Sequence, residues 1–125
     1  MEIKVYRCKH CGNIAIKVIN SGVPMSCCGE AMEELVPGAV DAAVEKHVPV
    51  VTREGDKVTV SVGSVAHPMT AEHYIQFVIL DTTAGVQIAS LNPNDDPAAV
   101  FTVLSGAQVK KAYAYCNLHG FWVSE

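Results

Sequence analysis

The 125-residue sequence is poor in charge, poorer still in positive charge, and without a long apolar run. Only 18% of its residues are charged while half are apolar, which excludes wholesale disorder and predicts a packed core. Nine Lys and Arg against thirteen Asp and Glu leave a formal net charge of −4, the wrong sign for a nucleic-acid partner. No stretch approaches the ~18 uninterrupted apolar residues of a membrane span. The start, Met1 to Cys8, lacks the apolar run of a secretion signal, so a cytoplasmic protein is expected. In that compartment thiols stay reduced. Internal repeats, low-complexity segments and a long helical period are also missing. The length suits one ordinary domain, or a very small one joined to one of medium size.

What is present is a set of metal-ligating side chains with an uneven distribution. Five cysteines, an odd number, point to metal ligands rather than disulfides. Cys8, Cys11, Cys27 and Cys28 lie within the first 28 residues, and Cys116 stands alone near the end. The histidines are biased the other way: His47, His67, His73 and His119 lie downstream, and only His10 falls among the early cysteines. The partition predicts two sites of different chemistry in two domains, 1–37 and 38–125, with the boundary near Pro37-Gly38.

The secondary structure reads as all-β. Residues 3–6, 14–19 and 31–36 are short strand candidates, separated by cysteine turns or Gly and Pro. Residues 48–53 and 57–62 are joined by Glu54-Gly55-Asp56, a hairpin signal. Within the second, Val58, Val60 and Val62 alternate with Lys57, Thr59 and Ser61, as in a half-buried strand. Residues 74–81, 86–91, 100–104 and 108–116 supply more strands, and 92–97 is a loop on composition. Short strands at regular spacing predict an immunoglobulin-like antiparallel β-sandwich over about 39–125. Residues 40–46 suit one helical turn.

The first motif is Cys8-Lys9-His10-Cys11, fifteen residues, then Cys27-Cys28. Four thiolates suit a tetrahedral ion, and two turns can present them to it. A structural zinc knuckle is the plain reading. The adjacent pair departs from the Cys-x₂-Cys of a zinc ribbon, and with Gly12-Asn13, Gly29 and Met32 the segment resembles desulforedoxin, a small protein with one four-cysteine iron. His10 reads as a solvated loop residue. A segment this short buries little apolar surface and needs a metal or a partner chain. The four-cysteine site is therefore expected to be structural whatever its redox role, and a homodimer through this segment is expected.

The second constellation is Glu45-Lys46-His47, then His67 and His73, then Cys116-Asn117-Leu118-His119-Gly120. Taken singly, each histidine is an ordinary loop or core residue. As a set, each falls at a predicted strand end or loop. Four imidazoles and a thiolate exceed the tetrahedral demand of structural zinc, and five donors with one open position suit inner-sphere iron chemistry.

These three stretches resemble the signature of superoxide reductases, and with the early cysteines they resemble the two-iron desulfoferrodoxin family across nearly the whole chain. The resemblance implies two iron ions: one on Cys8, Cys11, Cys27 and Cys28, the other on His47, His67, His73 and His119 with Cys116 as axial thiolate. It implies one-electron reduction of superoxide to hydrogen peroxide without release of dioxygen. Lys46 and Glu45 match the family's loop lysine and glutamate, the glutamate being a mobile carboxylate. Rubredoxin or a similar small protein is the implied electron donor. Superoxide is an anion, yet residues 40–125 carry five Lys and Arg against nine Asp and Glu, so attraction must be local, from Lys46 and the metal. An electron-transfer module, or a binding protein with zinc at both sites, would share these donors. Visible colour separates iron–thiolate sites from zinc.

Overall fold

The computed structural model describes residues 2–125 and divides into two compact units, one ending at Val36 and one running from Pro37 to Glu125. In the first unit, β1 (Val5–Arg7) is flanked by β2 (Ile14–Ile16) and β5 (Glu33–Leu35), both antiparallel. Between them β3 (Ser26–Cys27) and β4 (Glu30–Ala31) form a minimal hairpin. Only Val5 and Cys8 are buried among the described residues of this unit, so its apolar core is close to nil. The expected strand at 31–36 is broken into β4 and β5, because a two-residue turn at Cys28-Gly29 pairs Cys27 with Glu30.

The second unit is a sandwich of two antiparallel sheets. One has the order β10 (Ala98–Thr102), β7 (Lys57–Val62), β6 (Pro49–Glu54). The other has the order β12 (Gly120–Val123), β11 (Val109–Cys116), β8 (Ile75–Thr82), β9 (Gly85–Ser90). In β7 the expected alternation holds: Val58, Val60 and Val62 are buried and their neighbours are not. They pack with Ile75, Val78 and Leu80 of β8, Phe101 of β10, and Ala112, Ala114 and Cys116 of β11. Each fully buried Val or Leu contributes about 1.5–3 kcal/mol. β12 had no counterpart among the expected strands. Its four residues carry two aromatics after a tight turn, too short a run to show a period. The helical turn α1 (Val44–His47) lies a little later than expected, ending on a histidine.

Register fixes which strand ends meet. Pro49 lies opposite Val62, Ile75 opposite Cys116, and Cys116 opposite Gly120. The start of β6, the end of β7, the start of β8 and the β11–β12 turn therefore share one end of the sandwich.

Candidate metal centres

The early cysteines come from two turns of different geometry. In the first, Gly12 N–H donates to the Cys8 carbonyl at 3.0 Å and Cys8 N–H to the Asn13 carbonyl at 2.9 Å. Gly12 has φ +80°, a conformation a side chain disfavours. The second is the Cys28-Gly29 hairpin turn. Cys28 (φ 53°) and Gly29 (φ 75°) both adopt the positive φ that a two-residue type I′ turn requires. A cysteine in the left-handed region is uncommon, and here it swings two adjacent thiols toward one point. Cys11 Sγ lies 3.6 Å and Cys28 Sγ 3.9 Å from Cys27 Sγ, and Asn13 Nδ2 donates to Cys27 Sγ at 3.5 Å.

These separations are far beyond a disulfide bond, and all four cysteines are free. They match a tetrahedron: metal–sulfur bonds of about 2.3 Å put sulfurs about 3.8 Å apart. The acidities also call for a cation. The Cys11 backbone N–H, ahead of other hydrogen bonds and against partial burial, draws the Cys8 thiol down to about 6. The neighbouring Cys11, Cys8 and Cys27 thiols push Cys28 up to about 12. One thiolate forms readily, but four at this spacing need a positive ion between them.

The second group gathers at the shared end of the sandwich. His47 closes α1, His67 and His73 lie in the β7–β8 connection, Cys116 ends β11, and His119 sits in the following turn. One donor atom from each of the five lies within 4.8 Å of all the others. The rings form a closed cycle in the order His47, His67, His73, His119. Neighbouring centroids are 4.7 to 5.0 Å apart, and each ring is tilted 73° to 86° to the next.

Ring tautomers follow from the outer hydrogen bonds. His47 Nδ1 donates to the Ala43 carbonyl at 2.7 Å, and His67 Nδ1 to the Pro68 carbonyl at 2.7 Å. Both Nε2 atoms are then lone pairs, yet they face each other at 3.1 Å. His119 Nδ1 stands 3.2 Å from His47 Nε2, and the buried Nε2 of His73 has no hydrogen-bond partner. Lone pairs converge in this way on a cation. Metal–imidazole bonds of about 2.1 Å would set adjacent nitrogens about 3.0 Å apart. Burial lowers the pKa of His47 and His73 and takes His67 down to about 4, so these imidazoles are neutral and ready to bind.

Cys116 lies beside this ring rather than within it. Its side chain is fully buried in the sandwich core. Burial pushes the thiol pKa up, while the backbone N–H groups of Leu118 and His119, directed at the sulfur, pull it down. A thiolate there is tenable with a cation alongside. Trp122 stacks on His47 at 5.0 Å and its Nε1 donates to the His119 carbonyl at 2.9 Å.

Lys46 and Glu45 are exposed beside this group. The Lys46 charge disfavours protonation of both His47 and His73, which places its field at the ring. The Glu45 carbonyl accepts from Val65 N–H at 2.8 Å and Ser64 Oγ at 3.3 Å, and Glu45 is among the residues lining a groove of about 540 Å³. A residue that sequence reasoning passed over makes this seat. A Cβ on Gly63 would lie 2.6 Å from the Glu45 carbonyl oxygen and 3.1 Å from His47 N, so only glycine lets the Glu45–His47 backbone approach. The sequence offers one hint, a glycine directly after a regular strand. His10 pairs with Glu30 at 2.5 Å on the surface, outside both donor groups.

Comparison with known proteins covers both units. The family model described as "Desulfoferrodoxin" matches residues 39–125, and "Desulfoferrodoxin, N-terminal domain" matches residues 1–35. A desulfoferrodoxin homologue of Archaeoglobus fulgidus is 46% identical, over 98% of this chain and 96% of its own length. The superoxide reductase of Treponema pallidum superposes over the whole of both chains with a TM-score of 0.86 at 39% identity. A one-iron superoxide reductase from Giardia intestinalis covers 64% of this chain and 95% of its own, with a TM-score of 0.54 at 35% identity.

Proposed function

This chain belongs to the desulfoferrodoxin family, and from that premise we propose that it reduces superoxide to hydrogen peroxide at the four-histidine, one-cysteine centre. The observation that carries the reading is the closed cycle of four mutually steep imidazoles with a buried thiol beside it, five donors that match no tetrahedral structural site. The overall change is superoxide plus one electron plus two protons giving hydrogen peroxide. Iron held by these five residues would supply the electron.

The chain's own groups do the rest. His47, His67, His73 and His119 would hold the ion, and Cys116 would add one negative charge from the core side. Leu118 and His119 N–H groups temper that sulfur's donor strength. His73 and His119 are only partly buried, unlike Cys116, so an anion approaches from the solvent side of the ring. Lys46 supplies positive charge there, in a unit whose overall charge repels superoxide. Glu45, exposed in the same turn, is the mobile carboxylate that competes for the approach side and helps product leave. Cys8, Cys11, Cys27 and Cys28 hold the second iron. A small donor such as rubredoxin, a homodimer and a cytoplasmic setting complete the reading; the five free thiols suit a reducing compartment. Among the described residues, no helix is long and apolar enough to cross a membrane.

Rapid mixing of the reduced protein with superoxide tests the proposal. One hydrogen peroxide per superoxide consumed, with no dioxygen, is expected; evolution of dioxygen would mean dismutation and sink it. Lys46→Ile should slow the second-order encounter about tenfold or somewhat more and flatten its dependence on ionic strength, with iron content and visible spectrum unchanged. Lys46→Arg should keep most of the rate. An unaltered rate and salt slope in the isoleucine variant would make Lys46 an ordinary surface charge.

A further inference from the structure

The four rings of the imidazole cycle are not held alike. His47 and His67 are oriented through Nδ1 by carbonyls within their own segments. His119 sits in the tight turn after β11, with Trp122 Nε1 on its carbonyl. The buried Nε2 of His73 has no hydrogen-bond partner among the described residues, and the ring packs edge-on against those of His67 and His119. The backbone that carries it sets its direction together with those two rings.

That backbone is gripped from two sides. On one, Thr70 N–H donates to the His73 carbonyl at 3.0 Å, and His73 N–H donates back to Thr70 Oγ1 at 3.1 Å and to the Thr70 carbonyl at 3.2 Å. On the other stands Asn117. Its Oδ1 accepts from Tyr74 N–H at 2.9 Å and its Nδ2 donates to the Glu72 carbonyl at 2.9 Å, so one amide spans the peptide groups on either side of His73. Asn117 backbone N–H also reaches the Tyr74 carbonyl at 3.3 Å.

The sheet explains why a side chain is needed. From Lys111 to Tyr115 the β8–β11 ladder runs in step, then slips: Cys116 lies opposite Ile75 and Gln76 has no counterpart in β11. A slip of this kind ends regular pairing and bends the strand. It points Cys116 into the core, but leaves the chain before β8 without a strand to pair with. The Asn117 amide presents one acceptor and one donor at the spacing of a strand edge and continues the ladder for one residue.

We propose that Asn117 is the positioning residue of the iron centre, coupling the Cys116–His119 turn to His73 so that the fourth imidazole closes the ring. The inference rests on reading the five-donor group as an iron site. Because Asn117 lies next to Cys116, any shift of that turn carries over to His73 on the opposite connection.

The test uses the iron-loaded full chain. Asn117→Ala should bind iron in the five-donor site about 10–100-fold less tightly in competition with a chelator, the loss typical of removing a partner that orients a ligand. The sulfur-to-iron absorption of the oxidised site should shift in the same variant. Asn117→Asp keeps an acceptor for Tyr74 N–H but sets a carboxylate oxygen against the Glu72 carbonyl, so it too should lose affinity. In a His73→Ala background, removing Asn117 should cost less than twofold more, because its effect acts through His73. Far-ultraviolet circular dichroism and thermal unfolding of the sandwich report that the second unit is intact, and the aspartate variant carries the test if the alanine variant does not fold. Wild-type iron affinity and spectrum in both variants would overturn the proposal. So would a full additional loss in the His73→Ala background, or an unfolded sandwich in both variants, since each makes Asn117 a general support of the fold. Superoxide turnover is not among these readouts, so a wild-type protein inert to superoxide would defeat the functional proposal and leave this one standing.

Discussion

Cys116→Ser should abolish the visible absorption of the oxidised histidine centre and weaken its hold on iron by more than a hundredfold. Residues 37–125 carry no other cysteine, so nothing else in the second unit can restore a thiolate-to-iron transition. Serine is small enough for the cavity, and the Leu118 and His119 N–H groups that face the sulfur would satisfy its oxygen. The fold should therefore survive while the ligand is lost. Removal of a partner one step outside the ligand sphere already costs about 10–100-fold in affinity; loss of a charged ligand should cost more. Each decade is about 1.4 kcal/mol, and binding to the folded state alone stabilises it by mass action. The iron-loaded variant should thus unfold at lower temperature, while the metal-free proteins differ little. Spectroscopy with iron analysis and thermal unfolding checks both parts. A persisting sulfur-to-iron band would remove Cys116 from the ligand set.

Cys11→Ser should empty the four-cysteine site and unfold the first unit, yet leave the reaction with superoxide in place. In that unit only Val5 and Cys8 are buried among the described residues, and its strands are two or three residues long. An apolar core of that size cannot by itself offset the loss of chain entropy on folding. Metal binding to the four thiolates adds stabilisation that exists only in the folded unit, about 10–16 kcal/mol in small zinc-bound peptides. All five donors of the other centre lie in the second unit, whose sandwich has its own core. The variant should therefore hold one iron instead of two, and a protease should trim it to a fragment beginning near Pro37. Rapid mixing should still oxidise the remaining iron. A protease-resistant first unit would overturn the account of its stability. Loss of the direct reaction with the five-donor iron still bound would overturn the division of labour.

The aliphatic alternation of β7, the hairpin turn at Gly55 and the spacing of short strands made the sandwich legible before any coordinates. Strand ends were less so. β12 is not legible because Phe121-Trp122 sits in a run too short for periodicity, and the hairpin that draws Glu30–Ala31 away from Glu33–Leu35 turns on Cys28, a non-glycine residue at positive φ. That conformation runs against local preference and is held by the hairpin around it. Gly63 and Asn117 illustrate the same limit. One matters through a backbone approach from 18 residues earlier in the chain, the other through an amide that bridges to residues more than forty positions away.

By itself, the sequence determined the chemistry of the donors: four early thiols, four later imidazoles, one late thiol, and a net charge that forces any attraction for an anion to be local. Those are properties of side chains and survive any arrangement of the backbone. Only the tertiary structure decided the order of the rings around the cycle, the tautomers set by the Ala43 and Pro68 carbonyls, the burial of Cys116 in the core and the grip of Asn117 on His73. Each of these depends on strand register. A shift of one residue turns a side chain to the other face of a sheet, and register is settled by the summed packing of the valine-rich sandwich rather than by the residues at its end.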